Sequence, residues 1–179
     1  MAYTDDPDDR ALLVAAAYVV LQRSDPRHGD EVLLQLRRGT GYMDGHWAVL
    51  AGHLEPGETI TAAAARETAE ESGVVVAEAD LEPVTTLHRF IPGGPAIEQR
   101  ADFFFRARRW TGEPTALEPD RCAEMRWFPL DELPTPVVPH ERTVLDALAM
   151  GDRPPAIIAM PLVTEPVTEL VTEPVTKQS

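Results

Sequence analysis

A chain of 179 residues, 44% of them apolar and 26% charged, is long enough to bury the core of one domain and too short for two ordinary ones. Acidic residues outnumber basic ones 30 to 16, and the net charge of −14 excludes bulk electrostatic binding to duplex nucleic acid. The single cysteine, Cys122, excludes an intramolecular disulfide and a cysteine-rich zinc site.

A small phosphorylated ligand stays within reach, because a bound cation reverses the field inside an otherwise acidic pocket. No charged start followed by an apolar run and a cleavage site opens the chain, and no apolar stretch approaches a membrane span, so a cytoplasmic protein without a membrane partner is expected.

Residues 1–10 carry Asp5, Asp6, Asp8 and Asp9 with little to bury and read as a disordered acidic leader. From Ala11 to Gln22 the chain is a continuous run rich in Val and Leu, and Glu31–Leu36 is another, with the polar turn Arg23–Asp30 between them. Gly39–His53 is loop-like and rich in glycine and aromatics, with a short strand expected at Trp47–Leu50. Thr61–Ser72 holds five Ala together with Arg and Glu, lacks Gly and Pro, and is closed by Gly73, which predicts a helix. Val74–Val76, Val84–Ile91, Ala101–Trp110 and Met125–Phe128 predict further strands, with a turn at Pro92–Pro95, and Pro139–Met150 predicts a second helix ending at Gly151. Strands and helices alternate without a regular βαβ rhythm, so the expected class is α/β with a mixed sheet and helices packed on its faces, over residues 11–153. From Pro154 to Ser179 the chain turns to low complexity with a four-residue period in which Pro recurs; no helix accommodates that pattern, and a disordered or extended tail is expected.

The chemistry is concentrated in Gly52-His-Leu-Glu-Pro-Gly-Glu58 and Arg66-Glu67-Thr-Ala-Glu70-Glu71-Ser-Gly73-Val74. On a helix, Glu67, Glu70 and Glu71 stand three and four apart, so their carboxylates project from one face. Three like charges there repel one another, and a hard divalent cation such as Mg2+ or Mn2+, which takes oxygen ligands, neutralises them. Gly52 and Gly57 allow the backbone of the preceding loop to approach an ion or phosphate closely. Opposite charges on Glu58 and Arg66 suit a pair that pins the loop to the helix, and the alanines on the other side let the helix lie close against a sheet.

This stretch resembles the signature of the Nudix hydrolases: Gly, five residues, Glu, seven residues, then Arg-Glu-apolar-x-Glu-Glu-x-Gly-apolar. Every fixed polar and glycine position is matched between Gly52 and Val74; Thr68 departs where an aliphatic residue is usual, and Val49-Leu50-Ala51-Gly52 replaces the common Pro-Gly-Gly. The resemblance implies an αβα sandwich. It implies Mg2+ or Mn2+ held by Glu67, Glu70 and Glu71, with the Ala51 carbonyl as a further ligand, and Gly52, Glu58, Arg66 and Gly73 in structural roles. It also implies attack by metal-activated water on a phosphorus of a small diphosphate substrate, most simply a nucleoside diphosphate linked to another moiety. The proton goes to a carboxylate: Glu70 or Glu71, or Glu118, which resembles the family's extra glutamate found after a Trp-x-Gly-Glu-Pro-like stretch such as Trp110–Pro114. Glu113 is a weaker rival. Arg38, and behind it Arg37, close the second strand where similar members use arginine on substrate phosphates, a task that suits the guanidinium fork; His53 is a further phosphate contact. A homodimer is expected by analogy.

Two other readings stay open. A nucleotide-sensing module of the same fold binds without hydrolysis, against which stands the retention of every box carboxylate. An isopentenyl diphosphate isomerase needs a cysteine acid in the pocket, and the only cysteine, Cys122, lies far downstream of the box.

Overall fold

The computed structural model describes residues 12–162, so the leader expected at 1–10 lies outside the described residues. Eight strands and two helices follow in the order β1 (Val14–Asp25), β2 (Gly29–Arg37), β3 (Trp47–Ala48), β4 (Leu50–His53), α1 (Ile60–Ser72), β5 (Leu81–Phe90), β6 (Arg100–Ala107), β7 (Cys122–Pro129), α2 (Pro139–Ala149) and β8 (Ile157–Pro161).

The continuous apolar run of β1 makes sense once its neighbours are known. It pairs antiparallel with β2 and β4 and parallel with β6, and both of its faces are covered. Ala16, Tyr18 and Val20 face one core with Val32, Leu34, Phe104, Val144 and Leu145, on the side covered by α2. Ala17, Val19 and Leu21 face the other with Leu33, Leu50, Ala63, Ala64 and Phe105, on the side covered by α1. The period-two alternation of one strand thus builds both halves of an αβα sandwich around a mixed sheet. Ala63 and Ala64 are fully buried, and it is their small size that seats α1 close to β1 and β4.

Helix α1 begins one residue earlier than Thr61, because Thr59 takes the cap position and its Oγ1 accepts from Ala62 N at 3.1 Å. It ends at Gly73, whose left-handed φ of 73° closes the helix with its N–H on the Ala69 carbonyl. Thr68, the departure from the aliphatic pattern, is fully buried and satisfied internally: its hydroxyl donates to Ala64 O at 2.7 Å.

Three expectations are corrected. The turn at Arg23–Asp30 is shorter, because β1 runs to Asp25 and β2 starts at Gly29; cross-strand contacts of Gln22 and Ser24 with Asp30 and of Arg23 with Glu31 hold polar residues in the ladder. Val74–Val76 is no strand but a single bridge, Val75 to Thr111, since Val74 and Val76 are anchored in the core by side chains alone. The expectation of a disordered tail from 154 onward fails for Ile157–Pro161, which forms β8 parallel to β5; Thr86 N donates to Ala156 O and Leu162 N to Phe90 O, and Ile158 packs against the α2-side core. The apolar stretch before the repeat satisfies the backbone edge that β5 otherwise leaves unpaired. Residues 163–179, which carry the repeat, lie outside the described residues.

Candidate active site

Arg66 is the hub of the site. Its guanidinium donates to both carboxylate oxygens of Glu58, at 2.8 Å from Nη2 and 3.2 Å from Nε, and to Glu67 Oε1 at 2.7 Å, Glu70 Oε2 at 3.1 Å and the His53 carbonyl at 3.1 Å. The pair with Glu58 ties the loop 52–58 to α1, and it holds the Glu58 carboxyl below the usual range and the Arg66 guanidinium above it. Glu58 also accepts from Glu55 N at 2.7 Å, which fixes the turn at Gly57.

Gly52 stands directly against Glu67. An ideal Cβ at residue 52 would lie 1.8 Å from the Glu67 Cδ and 2.0 and 2.2 Å from its oxygens, so the carboxylate occupies the space that any side chain there would need. Next to it, Glu71 Oε2 accepts from Ala51 N at 3.0 Å. Burial pushes the Glu71 carboxyl up to about 8, with the neighbouring Glu67 and Glu118 adding to the rise and hydrogen bonds from Gln35 and Ala51 opposing it. The backbone of Ala51 and Gly52 is therefore bracketed by two box carboxylates. Glu70 is the exposed member of the trio, with its side chain 55% accessible and turned to Arg66.

Among the described residues no three acidic, cysteine or histidine side chains converge on one point as a finished metal cage. Glu67 and Glu70 are engaged by Arg66, and Glu71 by Ala51. The donor set is all oxygen on one helix face beside a glycine, a chemistry that fits a hard divalent cation; to hold one, Glu67 and Glu70 would have to release Arg66.

Loop 111–121 closes one side. Thr115 N and Leu117 N donate to the Ser72 and Glu71 carbonyls at the end of α1, and this carries Glu118 to the flank of Glu71, close enough to raise its pKa. Glu113 is exposed on the outer part of that loop. Arg38 is exposed and donates to the Pro119 carbonyl of the same loop. Arg37 is turned into its own loop, with Nε to Tyr42 O at 3.0 Å and Nη2 to Thr40 Oγ1 at 3.1 Å, so Arg38 is the more available of the two. His53 Nε2 lies 2.9 Å from Arg100 Nη2, on the α2 side of the sheet. Cys122, distant from the box in sequence, is buried with its thiol on the Glu124 carbonyl, and burial raises its pKa, with the charge of Glu71 adding to the rise.

The family model for the NUDIX domain matches residues 12–148. The chain belongs to the Nudix family. Among Nudix relatives it is 36% identical over 126 residues to the human 8-oxo-dGDP phosphatase NUDT18, covering 67% of this chain and 35% of that protein. It is 32% identical over 128 residues to the NAD-capped RNA hydrolase NudC of Escherichia coli O1:K1, covering 69% of this chain and 45% of that one. The chain thus spans less than half the length of these curated relatives. The crystal structure of a MutT Nudix hydrolase from Burkholderia pseudomallei superposes with a TM-score of 0.58 at 27% identity, over 73% of this chain and 96% of that one.

Several residues of this Nudix site are not singled out by the sequence. Gln35 is buried beneath Glu71 and bonds to it, and Glu141, 2% exposed at the start of α2, accepts from Val49 N at 2.6 Å. The available signal was a polar residue inside an apolar strand, Val-Leu-Leu-Gln-Leu, and an acid in the first turn after Pro139.

Proposed function

We propose that this Nudix protein is a divalent-metal-dependent pyrophosphohydrolase that cleaves a phosphoanhydride bond in a nucleoside diphosphate derivative. The observation that carries the proposal is the bracket around Ala51 and Gly52: Glu67 fills the space of a missing side chain at 52, and Glu71 grips Ala51 N. A fold needs no such close approach of carboxylate to backbone for stability, whereas an ion held between carboxylates and a main-chain carbonyl does. Glu67, Glu70, Glu71 and the Ala51 carbonyl are assigned to hold Mg2+ or Mn2+. When bound, that ion supplies Lewis acidity toward the phosphate oxygens and a lowered pKa for the attacking water.

The protein's own groups do the rest. Arg38, with Arg37 and His53 further off, orients the anionic phosphates by charge-assisted hydrogen bonds. A carboxylate takes the proton of the attacking water, and Glu118 and the box glutamates Glu70 and Glu71 are the candidates. Arg66 keeps Glu58 and the loop 52–58 in place. The names of the two curated relatives, one acting on 8-oxo-dGDP and one on NAD-capped RNA, support a nucleotide diphosphate as the substrate class. A cytoplasmic setting and a homodimer are carried forward with this reading, the latter to be checked by sedimentation.

The test is a panel of nucleoside di- and triphosphates and dinucleotides assayed with and without Mg2+, with products identified. Metal-dependent turnover of at least one, lost in Glu70→Gln and Glu71→Gln variants that melt like the parent, supports the proposal. No turnover on any diphosphate, or equal turnover without metal, contradicts it.

A further inference from the structure

Antiparallel ladders alternate bonded and unbonded pairs, and Leu54 N on Ala15 O sets the phase between β4 and β1. In that phase Leu50 and Gly52 turn their N–H and C=O toward β1. Ala51 and His53, and Val49 just before the strand, turn theirs to the opposite edge, and among the described residues β4 pairs with no strand other than β1. That edge carries the Ala51 carbonyl assigned above to the ion. Three other groups on it are taken by side chains of both helices. Arg66 of α1 donates to the His53 carbonyl at 3.1 Å, Glu71 of α1 accepts from Ala51 N at 3.0 Å, and Glu141 of α2 accepts from Val49 N at 2.6 Å.

Glu141 is the member of this set that lies outside the box. An acid in the first turn of a helix ordinarily serves that helix, through its dipole or by reaching back to the N-cap N–H. Here the N-cap is Val138, whose N–H is already on the Trp47 carbonyl at 2.9 Å, and Trp47 N donates in turn to the Pro136 carbonyl at 2.9 Å. These two bonds lay residues 136–138 alongside Trp47, as a parallel bridge to Val137, and set the start of α2 beside β3. The Glu141 carboxylate is thereby turned from its own helix to Val49. Val49 is fully buried and belongs to neither β3 nor β4, so its N–H has no ladder partner and solvent does not reach it. The three bonds from residues 136–141 fix the backbone at 47–49, two residues before the Ala51 carbonyl.

A main-chain carbonyl has no side-chain torsion with which to find an ion, so its aim is set by the backbone on either side of it. On the C-terminal side Gly52 is filled by Glu67, and the His53 carbonyl is held by Arg66. On the N-terminal side the hold is Glu71 on Ala51 N and Glu141 on Val49 N, and Glu71 is itself assigned to the ion. We propose that Glu141 is a positioning residue for the cation site: by accepting from Val49 N it fixes the Val49–Ala51 backbone, so that the Ala51 carbonyl keeps its aim while Glu71 serves the ion. The inference rests on the metal reading above and adds to it a residue of the opposite helix, outside the box, that acts through the backbone.

The test needs no turnover. Mn2+ is titrated into the full chain at one pH and well below each melting temperature, with the free ion followed by its paramagnetic resonance, for the parent, Glu141→Gln and Glu141→Leu. Gln keeps an oxygen for Val49 N, and Leu has similar bulk and no acceptor. Loss of an outer partner costs about 10- to 100-fold in metal affinity, so Glu141→Leu is expected to bind Mn2+ at least about tenfold more weakly than the parent, and Glu141→Gln within about threefold of it. A residue that only stabilised the fold would change the melt of Glu141→Leu and leave the Mn2+ affinity of the folded protein as it was. That result overturns the proposal, as does a Glu141→Gln protein as weak as Glu141→Leu. Should Glu141→Leu fail to fold, Glu141→Asp, which draws the acceptor back by one methylene, is expected to show the weakening, and parent-like affinity in it overturns the proposal equally. In each of these cases the parent still binds Mn2+ and the metal reading stands; a parent that binds none overturns both.

Discussion

Replacing Gly52 with Ala isolates the role of the box geometry from the stability of the fold. The new Cβ meets Glu67 Cδ at 1.8 Å, and to reach ordinary van der Waals contact at 3.4 Å the carboxylate must withdraw by about 1.6 Å. The stability cost is small, because Glu67 is the free end of a flexible side chain and what is lost is its 2.7 Å pair with Arg66, both side chains being partly accessible. Such a pair contributes about 0.5–1 kcal/mol, which the lower chain entropy of Ala in the unfolded state offsets in part. The melting temperature should fall by no more than about 4 °C. Activity answers differently: a ligand displaced by more than 1 Å from its working position costs about 100-fold in rate. The assay is initial-rate hydrolysis of the best substrate from the panel, beside a thermal melt. A Gly52→Ala protein with kcat/KM within about threefold of the parent would refute the assignment of Glu67 to the reacting centre.

Further outcomes follow from the same geometry. Glu118→Gln should lower kcat by about 100-fold or more with little change in KM if this carboxylate takes the proton; an unchanged kcat moves that role to Glu70 or Glu71. Arg66→Met leaves Glu58 and Glu67 without their cation and should cost about 1–2 kcal/mol in a chemical denaturation series, with Mg2+ raising the melting temperature more than it does in the parent; equal Mg2+ responses would show that Arg66 and the ion do not compete. Burial pushes the Glu141 carboxyl up to about 8, with the nearby Glu71 adding to the rise. Its folded pKa thus lies above its unfolded value near 4.5, so the native state holds the extra proton. Its contribution is fully present below pH 4.5 and is lost as pH rises through about 8, at up to about 1.4 kcal/mol per pH unit. Glu141→Gln should flatten the fall in denaturation free energy across that window, and an unaltered slope would contradict the burial argument. Ile158→Asp should loosen β8 from the α2-side core and cost about 1–2 kcal/mol; no loss of stability would mean that β8 contributes nothing to the packing.

Much of this architecture is legible in the residues, for physical reasons that differ from element to element. Helix α1 announces itself through its alanines, its acids and its closing Gly73, since helix propensity and a left-handed cap are local properties. The contact between Glu58 and Arg66 is legible because loop and helix are near in sequence and opposite in charge. The strand β8 is not legible, because its pairing depends on the free edge of β5 some 70 residues earlier, Thr85 Oγ1 reaching Pro155 O across that separation. Val74–Val76 reads as a strand and is none, because β-branched residues are equally at home anchoring a loop in a core. The buried pair of Arg89 and Asp102 escapes for a related reason: the two lie on strands β5 and β6, 13 residues apart, and only the sheet register makes them neighbours. Likewise, Arg37 and Arg38 are equivalent as a dipeptide, and the fold alone turns one into its own loop and leaves the other exposed.

Whether the acids of α1, with the backbone at Ala51, hold a divalent cation is decided by titrating the full chain with Mn2+, free ion followed by its paramagnetic resonance, for the parent and for Glu67→Gln and Glu71→Gln. Saturable binding by the parent, weakened by at least about tenfold in both variants while their melts stay close to the parent's, is the predicted result. Mn2+ that fails to bind the parent, or that binds all three proteins alike, would contradict it.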